Sequence, residues 1–132
     1  METELKIAET LEFENKHAQC GGSEDFQERI RAIRDVMDIL SGKWKIQIIG
    51  TLRFSNKMRF MDLLRNVDGI AAKMLSKELQ DLETNQLVKR TVLHTKPITV
   101  EYEITEYGKT LDKIITEVIS WGIEHRKKIM ST

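Results

Sequence analysis

The segment GIAAKMLSKELQDLETNQLVKRTV, residues 69–92, carries the clearest helical pattern of the chain. On a helical wheel that turns about 100° per residue, its leucines gather on one arc. That arc consists of Ala71, Leu75, Glu78, Leu79 and Leu82. The opposite arc contains no apolar residue and consists of Lys73, Ser76, Lys77 and Gln80. In an isolated helix such an arc would be an ordinary solvated face, so the flanking segments must show whether it has a further role.

Length and composition indicate one compact domain. The chain has 132 residues, of which 40% are hydrophobic and 32% are charged, enough for a real core. No apolar run approaches the roughly 20 residues of a membrane span, and the acidic first residues predict neither a secretory signal nor a transit peptide. A single cysteine excludes an internal disulfide framework. We therefore expect a cytoplasmic protein.

Positive charge is concentrated in the middle of the chain, although the formal net charge is zero. Residues 1–42 contain 5 basic and 10 acidic side chains, and residues 43–96 contain 11 basic and 5 acidic side chains. Residues 97–132 are close to neutral. The local concentration of charge sets the field that a polyanion meets, so the middle segment favours a nucleic-acid partner.

The segments before residue 69 predict three helices. CGGSED, residues 20–25, predicts a break, and apolar spacing predicts an amphipathic helix over residues 26–40. The next helix is expected to have Ser41 as its N-cap, with a buried stripe made of Trp44, Ile48, Ile49 and Leu52. RFSNKMRF then predicts a basic connector, RFMDLLRNV a short helix and DGI a tight turn.

The segments after the opening helix predict a β-hairpin and a long helix. LVKRTVLH and TVEYEITE are rich in β-branched residues and favour strands. Residues 105–130 predict a helix that is capped by Thr105. A short helix, a turn with glycine and a second helix are the parts of a helix-turn-helix, and a hairpin after them is a wing.

We therefore expect a mainly α fold with a small β-hairpin, a winged helix-turn-helix with N- and C-terminal dimerisation helices. Residues 1–25 would form an N-terminal extension and residues 26–132 the winged domain. Within it, the helix-turn-helix is expected at about 59–84, the wing at about 87–104 and the C-terminal dimerisation helix at about 105–130.

From about residue 31 to residue 122 the sequence resembles the HxlR-type winged helix-turn-helix regulators, which are related in build to the MarR type. The segments that carry the resemblance are SGKWKIQII, RFMDLLRNVDGIAAKMLSKELQDLE, QLVKRTV and VEYEITEYGKTL. The resemblance implies a transcriptional regulator that binds double-stranded DNA, acts as a homodimer on a pseudo-palindromic operator and represses by default. Where family members often begin the recognition helix with Ser or Thr, this chain has Ala71-Ala72, so Asp68 or Gly69 are alternative caps.

The predicted DNA contacts fall into two classes. Lys73, Ser76, Lys77 and Gln80 lie where a recognition helix reaches base edges, with lysine suited to guanine and glutamine to adenine. The candidates for phosphate contact are Lys43, Lys57, Arg59, Lys89, Arg90 and Lys96. Any single lysine is equally well explained as a solvated side chain, so the prediction rests on the set.

The C-terminal helix carries an apolar face that is wider than a small wing can cover, which predicts a partner surface. The candidate dimerisation residues are Ile33, Met37, Ile115, Val118, Ile119, Trp121 and Gly122. Part of this face, through Leu111 and Ile115, is expected to cover the chain's own core. Self-association would place two recognition helices one DNA turn apart, roughly 34 Å.

Alternative functions leave other signals. Cys20 is a candidate redox switch, since His17 and Lys16 would activate its thiol, whereas Glu24 and Asp25 would oppose this. Winged helices also serve as protein-interaction modules without DNA. We expect neither a metal nor another cofactor, because the histidines have no ligand spacing, and no catalytic motif indicates an enzyme. An effector, if one exists, would bind between the dimer helices and the DNA-binding lobe.

Overall fold

The computed structural model describes residues 22–131, and the chain divides into two units, residues 1–38 and 39–132. In the first unit the described part belongs to helix α1, Gly22–Ile39. The predicted break at CGGSED is wrong from residue 22 onward, because α1 begins four residues before the predicted start. Glu24 and Asp25 lie in its first turn, where carboxylates stabilise the positive end of the helix dipole.

The second unit is a winged helix-turn-helix, which confirms the predicted fold class. After α1 its elements are α2 (Lys45–Ser55), β1 (Lys57–Arg59), α3 (Phe60–Asn66), α4 (Ala72–Thr84), β2 (Val88–Leu93), β3 (Thr99–Ile104), a 3₁₀ helix (Gly108–Leu111) and α5 (Asp112–Met130). None of the helices among residues 22–131 is long and apolar enough to cross a membrane.

The core of this unit lies between α2, α3, α4 and the sheet. Its fully buried side chains are Ile48, Ile49, Leu52, Leu63, Leu75, Leu79, Leu82 and Val88. Burying an aliphatic side chain of this size contributes about 1.5–3 kcal/mol relative to exposure. The buried stripe predicted for α2 is confirmed at its three aliphatic positions, whereas Trp44 is only half-buried.

Two predictions around α2 are wrong. Ser41 does not cap this helix; the N-cap is Trp44, which makes no side-chain capping bond. The connector RFSNKMRF contains a short strand, β1, which pairs antiparallel with β3, so that Met58 lies opposite Tyr102. The sheet therefore has three strands in the order β1–β3–β2, and the wing hairpin is tied to the chain segment that leads into the helix-turn-helix.

The predicted hairpin is confirmed, with β2 and β3 joined by residues 94–98. Tyr102 and Ile104 alternate along β3 and are buried on the core side of the sheet, as the period of two along a strand requires. The other end of the hairpin, which includes Lys96 and Ile98, is exposed.

The start of the C-terminal helix differs from the prediction. Thr105 Oγ1 accepts a hydrogen bond of 2.9 Å from the Gly108 amide and donates one of 2.7 Å to the Gln86 carbonyl. It therefore caps the turn that leads into the 3₁₀ helix, and α5 itself begins seven residues later at Asp112. The Arg53 guanidinium makes a bidentate ion pair with the Asp112 carboxylate, which ties α2 to the first turn of α5.

Gly108 is predicted to tolerate no side chain. A Cβ at this position would lie 2.3 Å from the Leu87 carbonyl oxygen and 2.7 Å from Ile104 Cγ2. Gly108→Ala should lower the free energy of unfolding in urea by about 2 kcal/mol or more, because the backbone must shift to admit the methyl group.

Gly50→Ala is the matched control, since a Cβ at Gly50 in α2 meets no atom within 4 Å. It should raise stability by about 0.5–1 kcal/mol through helix propensity. Equal stability of the two variants would contradict the close approach of Gly108 to the Leu87 carbonyl.

Candidate nucleic-acid interface

The short helix α3 and helix α4 are joined by a turn whose geometry depends on Gly69. Gly69 has φ +84°, a left-handed conformation that glycine adopts without steric cost. The N-cap of α4 is Ala71, with no side-chain capping bond, so neither Asp68 nor Gly69 is the cap. Ile70, just before it, is buried and anchors the turn to the core.

Helix α4 separates its two arcs as the wheel predicted. Leu75, Leu79 and Leu82 are fully buried, whereas Ala71 is exposed. The four residues of the opposite arc, Lys73, Ser76, Lys77 and Gln80, are all exposed. Packing of the leucines against the core therefore turns a surface of two ammonium groups, a hydroxyl and an amide toward solvent. These groups can donate to guanine and adenine edges in a major groove.

A buried ion pair on the inner side of α4 was not predicted. Lys45 Nζ, at the start of α2, lies 2.7 Å from Glu78 Oε2 and 3.4 Å from Asp81 Oδ2. Lys45 and Glu78 are 6% and 8% exposed, respectively. The only sequence signal was Glu78 on the leucine arc, because a carboxylate in that position requires a partner.

Burial lowers the pKa of the Lys45 ammonium, but the hydrogen bonds and negative charges of Glu78 and Asp81 offset this and raise the pKa above its ordinary value of 10.5. Lys45 therefore stays protonated at neutral pH and links α2 to α4 as a charged group.

A cleft of about 520 Å³ lies beside the exposed arc, between α3 and the wing. Three arginines, Arg59, Arg65 and Arg90, line it together with one acidic residue, Asp62. Ser76 of α4 also lines this cleft, so the exposed arc of α4 and the arginines belong to one continuous surface. Arg65 was missed by sequence reasoning, since its 3.4 Å ion pair with Asp62 one turn away has the spacing of an ordinary solvated helix pair.

The other predicted phosphate contacts are spread over several elements. Arg59 is the N-cap of α3, as predicted. Lys43 does not lie in the first turn of α2; it precedes the N-cap, with its ammonium 4.7 Å from the centre of the Trp44 ring. Lys57 is in β1 and lies 3.9 Å from the Glu103 carboxylate. The remaining candidates are Lys89 and Arg90 in β2 and Lys96 in the wing loop.

The predicted dimerisation face on α5 is largely exposed. Ile115 is buried and Leu111 half-buried, which confirms that these two residues cover the core of the unit. Val118 and Ile119 are each 45% exposed and Trp121 is 69% exposed. The indole of Trp121 stacks on His125 with ring centres 4.8 Å apart, and a Cβ at Gly122 would meet no atom within 4 Å.

Other predictions concern the N-terminal part of the chain. Ile33 and Met37 lie on α1 and are exposed. The candidate redox residue Cys20, together with Lys16 and His17, lies outside the described residues.

Comparison with known proteins places the chain in a family. Residues 39–130 match the HxlR-like helix-turn-helix family. The HTH-type transcriptional regulator YtcD of Bacillus subtilis is 33% identical over 98 residues, which cover 74% of this chain and 77% of that protein. An HTH-type transcriptional regulator of Methanothermobacter thermautotrophicus is 33% identical over 95 residues, covering 72% of each chain. The chain therefore belongs to the HxlR-like helix-turn-helix family.

A solved structure supports the same conclusion. The redox regulator HypR in its reduced form superposes with a TM-score of 0.70 at 33% identity, covering 76% of this chain and 99% of that one. Winged-helix architecture, an exposed basic arc on α4 and regulator relatives agree: the protein is a DNA-binding transcriptional regulator.

Because Lys45 and Glu78 form a buried ion pair, the free energy of unfolding should decrease when the pH becomes strongly alkaline. Folding raises the pKa of Lys45. The contribution of the Lys45 charge to the free energy of unfolding is therefore fully present below pH 10.5, and it is lost as the pH rises through the pKa that Lys45 has in the folded protein. Lys45→Met should lower the free energy of unfolding at neutral pH by about 3 kcal/mol, since it leaves Glu78 buried without its main partner.

Urea unfolding of both proteins from about pH 8 to about pH 11 checks this. The difference in the free energy of unfolding between wild type and Lys45→Met should stay constant at first and then become smaller as Lys45 deprotonates. A gap that widens at alkaline pH would show that the pair does not stabilise the fold.

Proposed function

We propose that the protein is a repressor that binds a pseudo-palindromic operator as a homodimer, with α4 in the major groove. The observation that carries the proposal is the continuity of one surface: Ser76 belongs both to the exposed arc of α4 and to the wall of the arginine cleft. Along this surface, groups that suit base edges adjoin groups that suit phosphate, the division of labour that specific DNA readout requires.

The cleft fits the ridge of phosphates between two grooves. When a recognition helix lies in the major groove and the wing reaches the adjacent minor groove, the sugar-phosphate backbone passes between them. In this chain the cleft between α3 and the wing, which Ser76 of α4 also lines, is lined by Arg59, Arg65 and Arg90. Guanidinium groups bind phosphate oxygens in a bidentate manner, so we assign these three residues to backbone contact. Lys43, Lys57 and Lys96 are further phosphate contacts in this proposal.

Dimerisation is supported by the exposed apolar side of α5. Val118, Ile119 and Trp121 together expose an apolar surface on a small chain, and such patches mark partner sites. A second copy is the proposed occupant, because a two-fold axis at this face gives two α4 helices for two half-sites. The assignment of Ile33 and Met37 of α1 to dimerisation stays a prediction.

Repression is the proposed outcome of the same arrangement, since an operator-bound dimer can block access of the polymerase to the promoter; activation is the alternative. The proposed location is the cytoplasm, where the DNA partner lies. Redox control through Cys20 stays a prediction. The structural similarity to HypR, a redox regulator, supports this prediction. An effector site between the dimer helices and the DNA-binding lobe also stays a prediction.

Substitutions should separate base contacts from phosphate contacts. The reference duplex is one of about 30 base pairs selected by the wild-type protein from a random pool, and a scrambled duplex of equal composition is the comparison. Lys77→Ala should lower affinity for the selected duplex about tenfold more than for the scrambled one, because a lost base contact costs about 1–3 kcal/mol of discrimination.

Lys96→Ala should weaken both duplexes alike and reduce the salt slope by about one, as expected for one lost phosphate contact. Fluorescence anisotropy at salt concentrations from about 50 to 200 mM measures both effects. Lys109→Ala, on the 3₁₀ helix, is the control and should bind as wild type does. Wild-type affinity that does not fall with salt would overturn the proposal in favour of a protein-interaction module.

The dimer is tested by sedimentation equilibrium of Val118→Asp. A carboxylate in the centre of an apolar interface must be desolvated without a partner, so this variant should sediment as a monomer and bind the selected duplex at least about tenfold more weakly.

Phe54→Ser is the matched control, because Phe54 is 87% exposed but lies in α2. It should retain the wild-type mass and affinity. A wild-type protein that is monomeric at the concentrations at which it binds DNA would contradict the assignment of α5.

A further inference from the structure

We propose that Lys45 is a positioning residue for DNA readout: its ammonium group, held by Glu78 and Asp81, fixes the rotation of α4 about its own axis. This inference rests on the proposed function of the arc on α4. It adds a residue that touches no DNA and acts through the helix that does.

The contacts on the inner side of α4 are of two kinds. Leu75, Leu79 and Leu82 supply apolar burial, which turns the opposite arc toward solvent but, being non-directional, sets the rotation of α4 less finely than a contact between single atoms. The ion pair instead joins single atoms: Lys45 Nζ lies 2.7 Å from Glu78 Oε2 and 3.4 Å from Asp81 Oδ2. Two carboxylates one turn apart on α4 thus converge on a single ammonium group.

The ammonium is itself held in place. Lys45 is the first residue of α2, and α2 is fixed to the core by Ile48, Ile49 and Leu52, which are fully buried. A cation in the first turn of a helix is disfavoured by the helix dipole. Its presence there is therefore better explained by the carboxylates of α4 than by the stability of α2.

The size of the effect follows from helix geometry. A side chain tip about 6 Å from the helix axis moves by about 2 Å when the helix rotates by about 20°. Hydrogen bonds span only about 2.7–3.2 Å between heavy atoms, so such a rotation removes base contacts from Lys77 and Ser76. Glu78 and Lys77 are adjacent in α4. Holding the Glu78 side chain against Lys45 therefore also sets the direction in which the Lys77 side chain points.

The test separates positioning from stability. In the double variant Lys45→Met, Glu78→Met both charges are replaced by apolar side chains of similar length, a change that leaves folding nearly neutral. Its thermal midpoint and its affinity for scrambled duplex should match those of wild type, since the phosphate contacts are intact. The ratio of affinities for selected over scrambled duplex should fall about tenfold.

Two variants control for side effects. Lys45→Arg keeps the charge and the pair and should retain the ratio. The double variant Glu106→Met, Lys109→Met removes an exposed ion pair of 2.9 Å outside α4 and should also retain it. If the first double variant does not fold, Glu78→Gln, which keeps the shape and removes the charge, should show the same loss of discrimination.

The outcomes are distinguishable. If the Lys45→Met, Glu78→Met variant or Glu78→Gln prefers the selected duplex as strongly as wild type does, the positioning role alone is overturned. A wild-type protein that shows no preference for any duplex would overturn the proposed function and the positioning role together.

Discussion

The packing of α4 against α2 is the constraint on which the rest of the molecule depends. Leu75, Leu79 and Leu82 are buried against a core that includes Ile48 and Leu52. Since side chains four residues apart share a helix face, burial of this arc leaves the opposite arc exposed. Two lysines and two polar groups are thereby presented to solvent, and the proposed function uses the surface that packing leaves exposed.

The three-stranded sheet places the wing next to that arc. Strand β1 precedes α3 directly and pairs with β3, so the hairpin shares backbone hydrogen bonds with the segment that leads into the helix-turn-helix. Gly108 lies against the Leu87 carbonyl at the base of the hairpin, and Arg53 holds the start of α5. These local contacts connect the elements that we assign to DNA binding to the helix that we assign to dimerisation.

Sequence patterns predicted the helices and strands whose characteristic residues lie within one continuous segment. The spacing of leucines identified α4, and β-branched residues identified the hairpin. Strand β1 was missed because three residues are too few to show the alternating pattern of a strand. Its partner β3 also lies about 44 positions further along the chain. The pair between Lys45 and Glu78 was missed for the same reason, since only the fold brings them to 2.7 Å. At the site, the arc was predicted in full, whereas the grouping of Arg65 with Arg59 and Arg90 depends on how α3 faces the wing.

Lysine footprinting tests the DNA-facing surface most directly. The protein is acylated with an amine-reactive reagent, with and without the selected duplex, and the modification of each lysine is measured by mass spectrometry. Bound duplex should lower the reactivity of Lys73, Lys77 and Lys96 several-fold, while Lys109, Lys127 and Lys128 stay unchanged. Protection of the lysines near the end of α5, with Lys73 and Lys77 still reactive, would contradict the assignment of α4 as the recognition helix.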